Sequence, residues 1–205
     1  MIRVAVFASG GGSNLNALLE AVQSGRLDAS IVLVISNKAE AGALQIAREY
    51  GVPAVHISQK SLPSDDEFNK AILTALKEHG VDMIALAGYL KKIDSCIIRE
   101  YKNRILNIHP ALLPSFGGKG MYGLKVHQAV LDYGCKVAGV TVHLVDEEYD
   151  TGPPILQRCV PVEPDDTPET LAARVLEQEH KIYAEALQLF AENRVKIQGR
   201  KVSIK

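Results

Sequence analysis

The residues best suited to chemistry lie in one short segment, Arg104 to Ser115, which reads RILNIHPALLPS. An apolar run there carries Asn107 and His109, and Pro110 should end it because proline cannot donate to a sheet ladder. Since Asn107 and His109 are two positions apart in a predicted strand, their side chains leave the same face. An amide N–H can stabilise a negatively charged oxygen, and an imidazole can transfer a proton. On these residues alone, a buried structural histidine and a turn-forming asparagine remain open.

Two carboxylates could complete such a site. Asp146 ends a predicted strand in an acidic loop, where it could fold over the histidine and raise its pKa, since an opposite charge favours imidazolium. Glu179 falls four residues after Val175 on the inward stripe of a predicted helix. A buried carboxylate is too costly to leave unpaired, so Glu179 is expected to meet a ligand hydroxyl or amine. A solvated loop and a surface glutamate are the alternatives.

A glycine loop, Ser9–Asn14, is the second candidate binding element, because it joins a predicted strand to a predicted helix. Glycines let a backbone approach a ligand closely, and the free N–H groups of a helix N-terminus favour an anion. Leu15 occupies the third glycine position of a dinucleotide fingerprint, and no acidic ribose ligand follows the next strand. We therefore expect Gly12, Ser13 and Asn14 to bind a phosphate monoester rather than NAD or ATP. A plain strand-to-helix turn is the alternative.

These candidates depend on a framework of alternating strands and helices. The predicted elements are strand 3–8, helix 15–22, strand 31–35, helix 41–50, strand 54–57, helix 65–79, strand 83–87, the short strand that ends at Pro110, helix 124–133, strands 137–145 and 155–162, helix 166–190 and a hairpin over 195–204. This order predicts an α/β fold: a mostly parallel, doubly wound, Rossmann-like sheet with an antiparallel C-terminal extension and a long C-terminal helix. Ligands bind such a sheet at the carboxyl ends of its strands.

Two more loops follow predicted strands near that edge. The loop 87–93 combines a turn at Gly88 with the cations of Lys91 and Lys92, although a plain strand-to-helix loop is the alternative. The segment 115–123 holds four glycines, which is typical of a mobile flap rather than of regular structure.

The composition narrows the class of protein. The chain has 205 residues, is 47% hydrophobic and has a net charge of -1, so it has no long-range field for nucleic acid or an anionic membrane. Three separated cysteines predict neither a zinc site nor a disulfide framework. There is no signal-peptide pattern and no apolar run of the roughly 18 residues that span a membrane. We expect a cytoplasmic protein with small-molecule substrates, without nucleic acid or membrane partners, as a monomer or a homodimer.

With these residues in view, the sequence resembles the phosphoribosylglycinamide formyltransferases, folate-dependent enzymes of de novo purine synthesis. The matching segments, whose combination and order are far more specific than any one of them, are Ala8–Leu15, Leu86–Tyr89, Asn107–Pro114, Val142–Pro153 and Glu179–Tyr183. The resemblance covers nearly the whole chain.

The resemblance implies transfer of a formyl group from 10-formyltetrahydrofolate, as co-substrate, to the amine of glycinamide ribonucleotide, without a metal. The residues implied are Asn107, His109 and Asp146 for catalysis, Gly12, Ser13, Asn14 and Glu179 for the ribonucleotide, and Leu90, Lys91, Lys92, Ile93, Val142 and His143 for folate. It also implies a single formyltransferase domain over 1–205, with a phosphate- and nucleotide-binding half (1–102) and a catalytic and folate-binding half (103–205).

The chain departs from the family pattern at three residues. Lys91 stands where arginine is common, Lys125 takes the place of the first histidine of a Gly-Leu-His-x-His pattern and leaves His127 as the second, and Leu176 replaces a polar residue. The glycine flap is also longer.

Two related enzymes and a non-enzymatic protein are the alternatives. Methionyl-tRNA formyltransferase and formyltetrahydrofolate deformylase share the Asn-x-His and Asp core. Both are expected to be longer chains with an additional domain, and the 205 residues of this chain leave no room for one. A sensor of phosphorylated metabolites would keep the glycine loop but has no reason to keep Asn107, His109 and Asp146 together.

Overall fold

The structure, a computed structural model, describes residues 1–205. Its strands are β1 (Ile2–Phe7), β2 (Ala29–Ser36), β3 (Ala54–His56), β4 (Met83–Leu86), β5 (Ile105–His109), β6 (Val137–Leu144), β7 (Pro154–Pro161), β8 (Val195–Gln198) and β9 (Lys201–Ile204). Its helices are α1 (Ser13–Gln23), α2 (Gly42–Glu49), α3 (Asp65–Glu78), α4 (Ser95–Glu100), α5 (Leu124–Asp132) and α6 (Pro168–Ala191). None of these helices has the length and apolar content needed to cross a membrane.

Seven strands form one sheet in the order β3-β2-β1-β4-β5-β6-β7. The pairs from β3 to β5 are parallel, and the pairs β5–β6 and β6–β7 are antiparallel. The buried runs of β1 and β4 are apolar throughout because helices cover both faces of the sheet. The predicted mostly parallel sheet with an antiparallel extension is therefore confirmed, and β8 and β9 form the predicted terminal hairpin.

The helices form two layers on opposite faces of the sheet. The larger core contains the apolar sides of α1, α2, α5 and α6, and the smaller core contains those of α3 and α4. Helix α6 begins where its sequence predicts: Pro168 occupies the first turn, and Thr167 forms a capping box with Thr170. Helix α4 was not predicted, because its six residues are too few to show a helical period.

The sheet is continuous across residues 102 and 103, where the sequence suggested two functional halves. Strand β4 lies before this point and pairs with β5, which lies after it; Leu86 is the partner of Asn107. The hydroxyl of Tyr183 from α6 lies 2.9 Å from the carbonyl oxygen of Leu86 and 3.2 Å from that of Leu106, both of which can accept its proton. Helix α6 is thereby fixed against the carboxyl ends of β4 and β5.

Candidate active site

The main cavity opens at the carboxyl ends of β1, β4 and β5 and has a volume of about 830 Å³. This size and position are typical of a small-molecule site in an α/β sheet. The walls include the glycine loop, the loop after β4, the end of β5, part of the segment 115–123, the loop after β6 and one face of α6. Residues of both ranges, 1–102 and 103–205, contribute to these walls.

Asn107 and His143 face each other across the antiparallel pair β5–β6. Nδ1 of His143 lies 2.7 Å from the carbonyl oxygen of Leu144, which can only accept, so the neutral ring carries its proton on Nδ1. Nε2 is then an acceptor, and Nδ2 of Asn107 donates to it over 3.0 Å. This network assigns the amide nitrogen of Asn107 to the His143 side. The other amide hydrogen has a weaker partner, Oδ1 of Asp150 at 3.4 Å.

His109 ends β5 and is only 4% exposed. Its Nε2–H donates to the carbonyl oxygen of Phe116 over 2.9 Å, which leaves Nδ1 of the neutral ring as a base. Nδ1 lies 3.6 Å from Oδ2 of Asp150. Burial lowers the pKa of His109 and outweighs the opposing effects of Asp150 and Phe116. The imidazole is therefore neutral at neutral pH, whereas the sequence predicted a raised pKa, because desolvation exceeds the attraction of one carboxylate.

Asp150 is the carboxylate that lies between the two histidines. Its Oδ2 accepts the backbone N–H of Gly118 over 2.9 Å, and its Oδ1 lies 3.6 Å from Nε2 of His143. Burial alone would raise the pKa of Asp150, but its interactions with His143, His109 and Gly118 outweigh burial and lower it. Asp150 is therefore an anion that accepts a hydrogen bond from the flap and lies 3.6 Å from one ring nitrogen of each histidine.

The expectation that Asp146 faces His109 is wrong. Oδ1 of Asp146 accepts the hydroxyl of Thr151 over 2.6 Å and the N–H of Glu148 over 3.3 Å, so this carboxylate stabilises its own loop. The loop then turns back towards the site at Asp150, whose φ of 56° is left-handed. Gly152 completes the turn, because a Cβ at that position would collide with a backbone carbonyl oxygen.

Asn14 and Glu179 lie together in the cavity wall. Nδ2 of Asn14 donates to Oε2 of Glu179 over 2.7 Å, while Oδ1 of Asn14 is buried without a hydrogen-bond partner. Burial raises the pKa of Glu179, and the hydrogen bond from Asn14 opposes this effect only in part. The orphan oxygen and the buried carboxyl are suited to a polar ligand, in agreement with the position predicted for both residues.

Gly12 and Ser13 do not line the cavity, although both were predicted to touch the ribonucleotide. Gly12 has a φ of 87°, and a Cβ there would lie 2.8 Å from Cα of Ala43 in α2. The glycine is therefore required by the packing of α1 against α2. Ser13 is exposed at the start of α1, whose first N–H groups have no intrahelical partner. Gly10 is the glycine of this loop that lines the cavity.

The loop after β4 contributes every residue that was predicted there. The four that line the cavity are Leu90, Lys91, Lys92 and Ile93. Nζ of Lys91 donates to Oε1 of Gln59 over 3.2 Å, and Nζ of Lys92 lies 3.4 Å from a carboxylate oxygen of Glu148. Lys92 thus connects this loop to the loop after β6.

Val142 is fully buried in the core and does not line the cavity. Its side chain therefore does not support the predicted contact with folate, because successive strand residues point to opposite faces and His143 occupies the cavity side of β6. His143 does line the cavity, but its ring is bonded to Asn107 and to Leu144.

Other cavity residues had no predicted role. His127 on α5 is 4% exposed, and its Nδ1 has no partner. Burial lowers the pKa of His127, and the neighbouring His109, when it is protonated, lowers it further. Its position three residues before the buried Val130 was the available signal, but helical spacing of this kind is far more often structural. Leu176 also lines the cavity, whereas Lys125 stands over the ring of Tyr122. No group of three or more His, Cys, Asp or Glu side chains is arranged to hold a metal ion.

The chain matches the family model described as formyl transferase over residues 2–187. It is 47% identical to a chloroplastic phosphoribosylglycinamide formyltransferase of Arabidopsis thaliana, over 95% of this chain and 67% of that protein. It is 39% identical to the phosphoribosylglycinamide formyltransferase of Bacillus subtilis (strain 168), over 89% of this chain and 91% of that protein. The solved structure of glycinamide ribonucleotide transformylase 1 from Symbiobacterium toebii superposes with a TM-score of 0.94 at 45% identity, over 100% of this chain and 94% of that one.

Proposed function

The chain belongs to the formyl transferase family, and on this basis we propose that it transfers a formyl group from 10-formyltetrahydrofolate to the amine of glycinamide ribonucleotide. The products are formylglycinamide ribonucleotide and tetrahydrofolate, in de novo purine synthesis. The observation that carries the proposal is the convergence of Asn107, His109 and Asp150 in a cavity that also contains the Asn14–Glu179 pair.

Asn107 stabilises the negative oxygen that forms when the amine attacks the formyl carbon. One of its amide hydrogens is held by His143 at 3.0 Å, which fixes the plane of the amide. The other is only weakly held by Asp150 at 3.4 Å, so it remains available to a stronger acceptor. A donor of this kind typically contributes on the order of 100- to 1,000-fold in rate.

His109 transfers the proton between the two nitrogens of the reaction. Because its pKa is lowered and its Nε2–H is held by Phe116, Nδ1 is free to accept a proton from the attacking amine as that nitrogen becomes positive. Asp150 then stabilises the imidazolium, directly or through a water molecule. The same proton passes to the folate nitrogen as its bond to the formyl carbon breaks.

The two substrates occupy neighbouring parts of the cavity. Asn14 and Glu179 bind the ribonucleotide, whose phosphate lies at the N-terminus of α1, near Gly12 and Ser13; a helix start favours an anion. The loop containing Leu90–Ile93 contacts folate. His143, on β6, acts in the folate part of the cavity mainly by orienting Asn107. The three free cysteines support a reducing compartment, for which we propose the cytoplasm.

The experiment mixes the protein with 10-formyltetrahydrofolate and follows release of tetrahydrofolate, with and without glycinamide ribonucleotide. Formation of the formylated ribonucleotide is measured by mass spectrometry in the same samples. Release that requires the ribonucleotide and matches the product supports the proposal. Release without the ribonucleotide would instead identify a deformylase, and a protein that binds ligands but releases nothing would be a sensor.

A further inference from the structure

One hydroxyl connects three neighbouring loops at the cavity edge of the sheet. Ser9 follows β1, Asn37 follows β2 and Leu90 follows β4, and these strands are adjacent in the order β2-β1-β4. The Ser9 hydroxyl donates to Oδ1 of Asn37 over 2.5 Å and accepts the backbone N–H of Leu90 over 2.9 Å. The backbone N–H of Ser9 also donates to the carbonyl oxygen of Gly88 over 3.0 Å.

The direction of these hydrogen bonds is fixed by the chemistry of the groups. A serine hydroxyl has one proton, and Oδ1 of Asn37 takes it, so the lone pairs of the oxygen remain for Leu90. Ser9 is 2% exposed, so no solvent competes for its oxygen. Asn37 therefore orients the hydroxyl, and the hydroxyl in turn holds the main chain of Leu90.

Packing alone does not hold Leu90 in place. Its side chain is 46% exposed on the rim of the cavity, and Gly88, which precedes it by two residues, has a left-handed φ of 74°. Tyr89 and Ile93 on either side of Leu90 are packed in the smaller core, but Leu90 itself has few buried contacts, so its main chain depends more on its hydrogen bond for its position. The other side of Ser9 continues directly into the glycine loop that ends at Asn14.

We infer that Ser9 is a positioning residue that sets the folate loop, Gly88–Ile93, relative to the glycine loop, so that the two substrates lie at reacting distance. This inference rests on the proposed function. Ser9 belongs to the glycine loop, on the ribonucleotide side of the cavity, yet its replacement should selectively affect folate binding. A residue that only stabilised its own loop would not have this effect.

Ser36 provides a matched control. It ends β2, is fully buried, and its hydroxyl oxygen also accepts a loop N–H, that of Lys38 at 3.1 Å. Ser36 differs from Ser9 in that its hydroxyl has a single hydrogen bond, which stays within its own loop. Ser36→Ala deletes one hydrogen bond, within its own loop, whereas Ser9→Ala deletes two, of which the bond from Leu90 holds the folate loop.

The test compares wild type, Ser9→Ala, Ser36→Ala and Asn37→Ala in the full chain. It measures kcat, KM for both substrates, affinity for tetrahydrofolate by calorimetry, and thermal stability. Ser9→Ala should raise the folate KM and weaken tetrahydrofolate binding by about ten-fold, the effect of losing the one hydrogen bond that reaches Leu90, while the ribonucleotide KM changes by less than about three-fold. Asn37→Ala should give a smaller change of the same kind, and Ser36→Ala should leave both folate values within about two-fold of wild type.

Equal folate values for Ser9→Ala and wild type would overturn the inference, as would an equal loss in Ser36→Ala or a change confined to the ribonucleotide KM. If wild type binds tetrahydrofolate but transfers no formyl group, the proposed reaction fails, and the calorimetric comparison still decides the role of Ser9. A wild type that neither binds tetrahydrofolate nor transfers formyl would overturn both.

Discussion

Replacement of Asp150 by asparagine tests the central electrostatic contact of the site. Asparagine keeps the size of the side chain and tolerates the left-handed φ of 56°, so the variant should fold. What it removes is the negative charge 3.6 Å from Nδ1 of His109. At that distance a unit charge pair is worth about 5 kcal/mol at an effective dielectric constant of about 20, and about 1 kcal/mol in bulk water.

The expected loss lies between these limits, because the carboxylate is 11% exposed and the asparagine still offers an acceptor oxygen. Since about 1.4 kcal/mol corresponds to a factor of ten in rate, we expect kcat to fall about 100-fold. KM for both substrates should change little, because the charge is needed when His109 carries the proton. The assay is steady-state release of tetrahydrofolate over a range of pH.

The pH profile gives a second measurement. Burial already lowers the pKa of His109, and Asp150 opposes that shift. Loss of the charge should lower the pKa further, so the limb of the kcat profile that reports protonation of His109 should move to lower pH. Asp146→Asn is the matched control, since Asp146 bonds to Thr151 and Glu148 instead. An equal loss of kcat in both variants, or wild-type kcat in Asp150→Asn, would refute the reasoning.

Three further predictions concern other parts of the site. Asn107→Ala should reduce kcat by about 100- to 1,000-fold with little change in ribonucleotide KM, and steady-state kinetics would contradict the oxyanion role by showing a change in KM alone. Gly12→Val should lower the free energy of unfolding in urea by about 2 to 4 kcal/mol, because it combines a clash with Ala43 and a left-handed φ. Unchanged stability would contradict the packing role of this glycine. Trypsin should cut at the exposed Lys119 of the flap in the free protein and more slowly with both substrates bound, whereas cutting at the exposed Lys102 should not change; equal protection at both would count against a flap that closes.

The sequence predicts most of the fold because the period of its apolar residues is local information. The apolar runs of β1, β2 and β4 predict buried strands, and Thr167 and Pro168 predict the start of α6. Asn107 and His109 could likewise be placed, because a period of two puts them on one strand face.

Loop geometry is where prediction from the sequence fails. Asp146 and Asp150 are both acidic residues of one loop, and their distance from the end of β6 favoured Asp146. The choice of Asp150 depends on a left-handed residue, on Gly152 and on an N–H from the distant Gly118. Gly12 shows a similar limit, since its contact with Ala43 joins elements that no local pattern relates.

Because β4 and β5 pair across residues 102 and 103, the fragments 1–102 and 103–205 could serve as a complementation pair. A cut in the exposed turn at Lys102 and Asn103 would separate Asn14 and the folate loop from Asn107, His109 and Asp150. Neither fragment would contain the whole cavity, and the register of Asn107 would have to be restored by pairing with Leu86 on the other fragment. Formyl transfer would then report the meeting of any two proteins to which the fragments were fused.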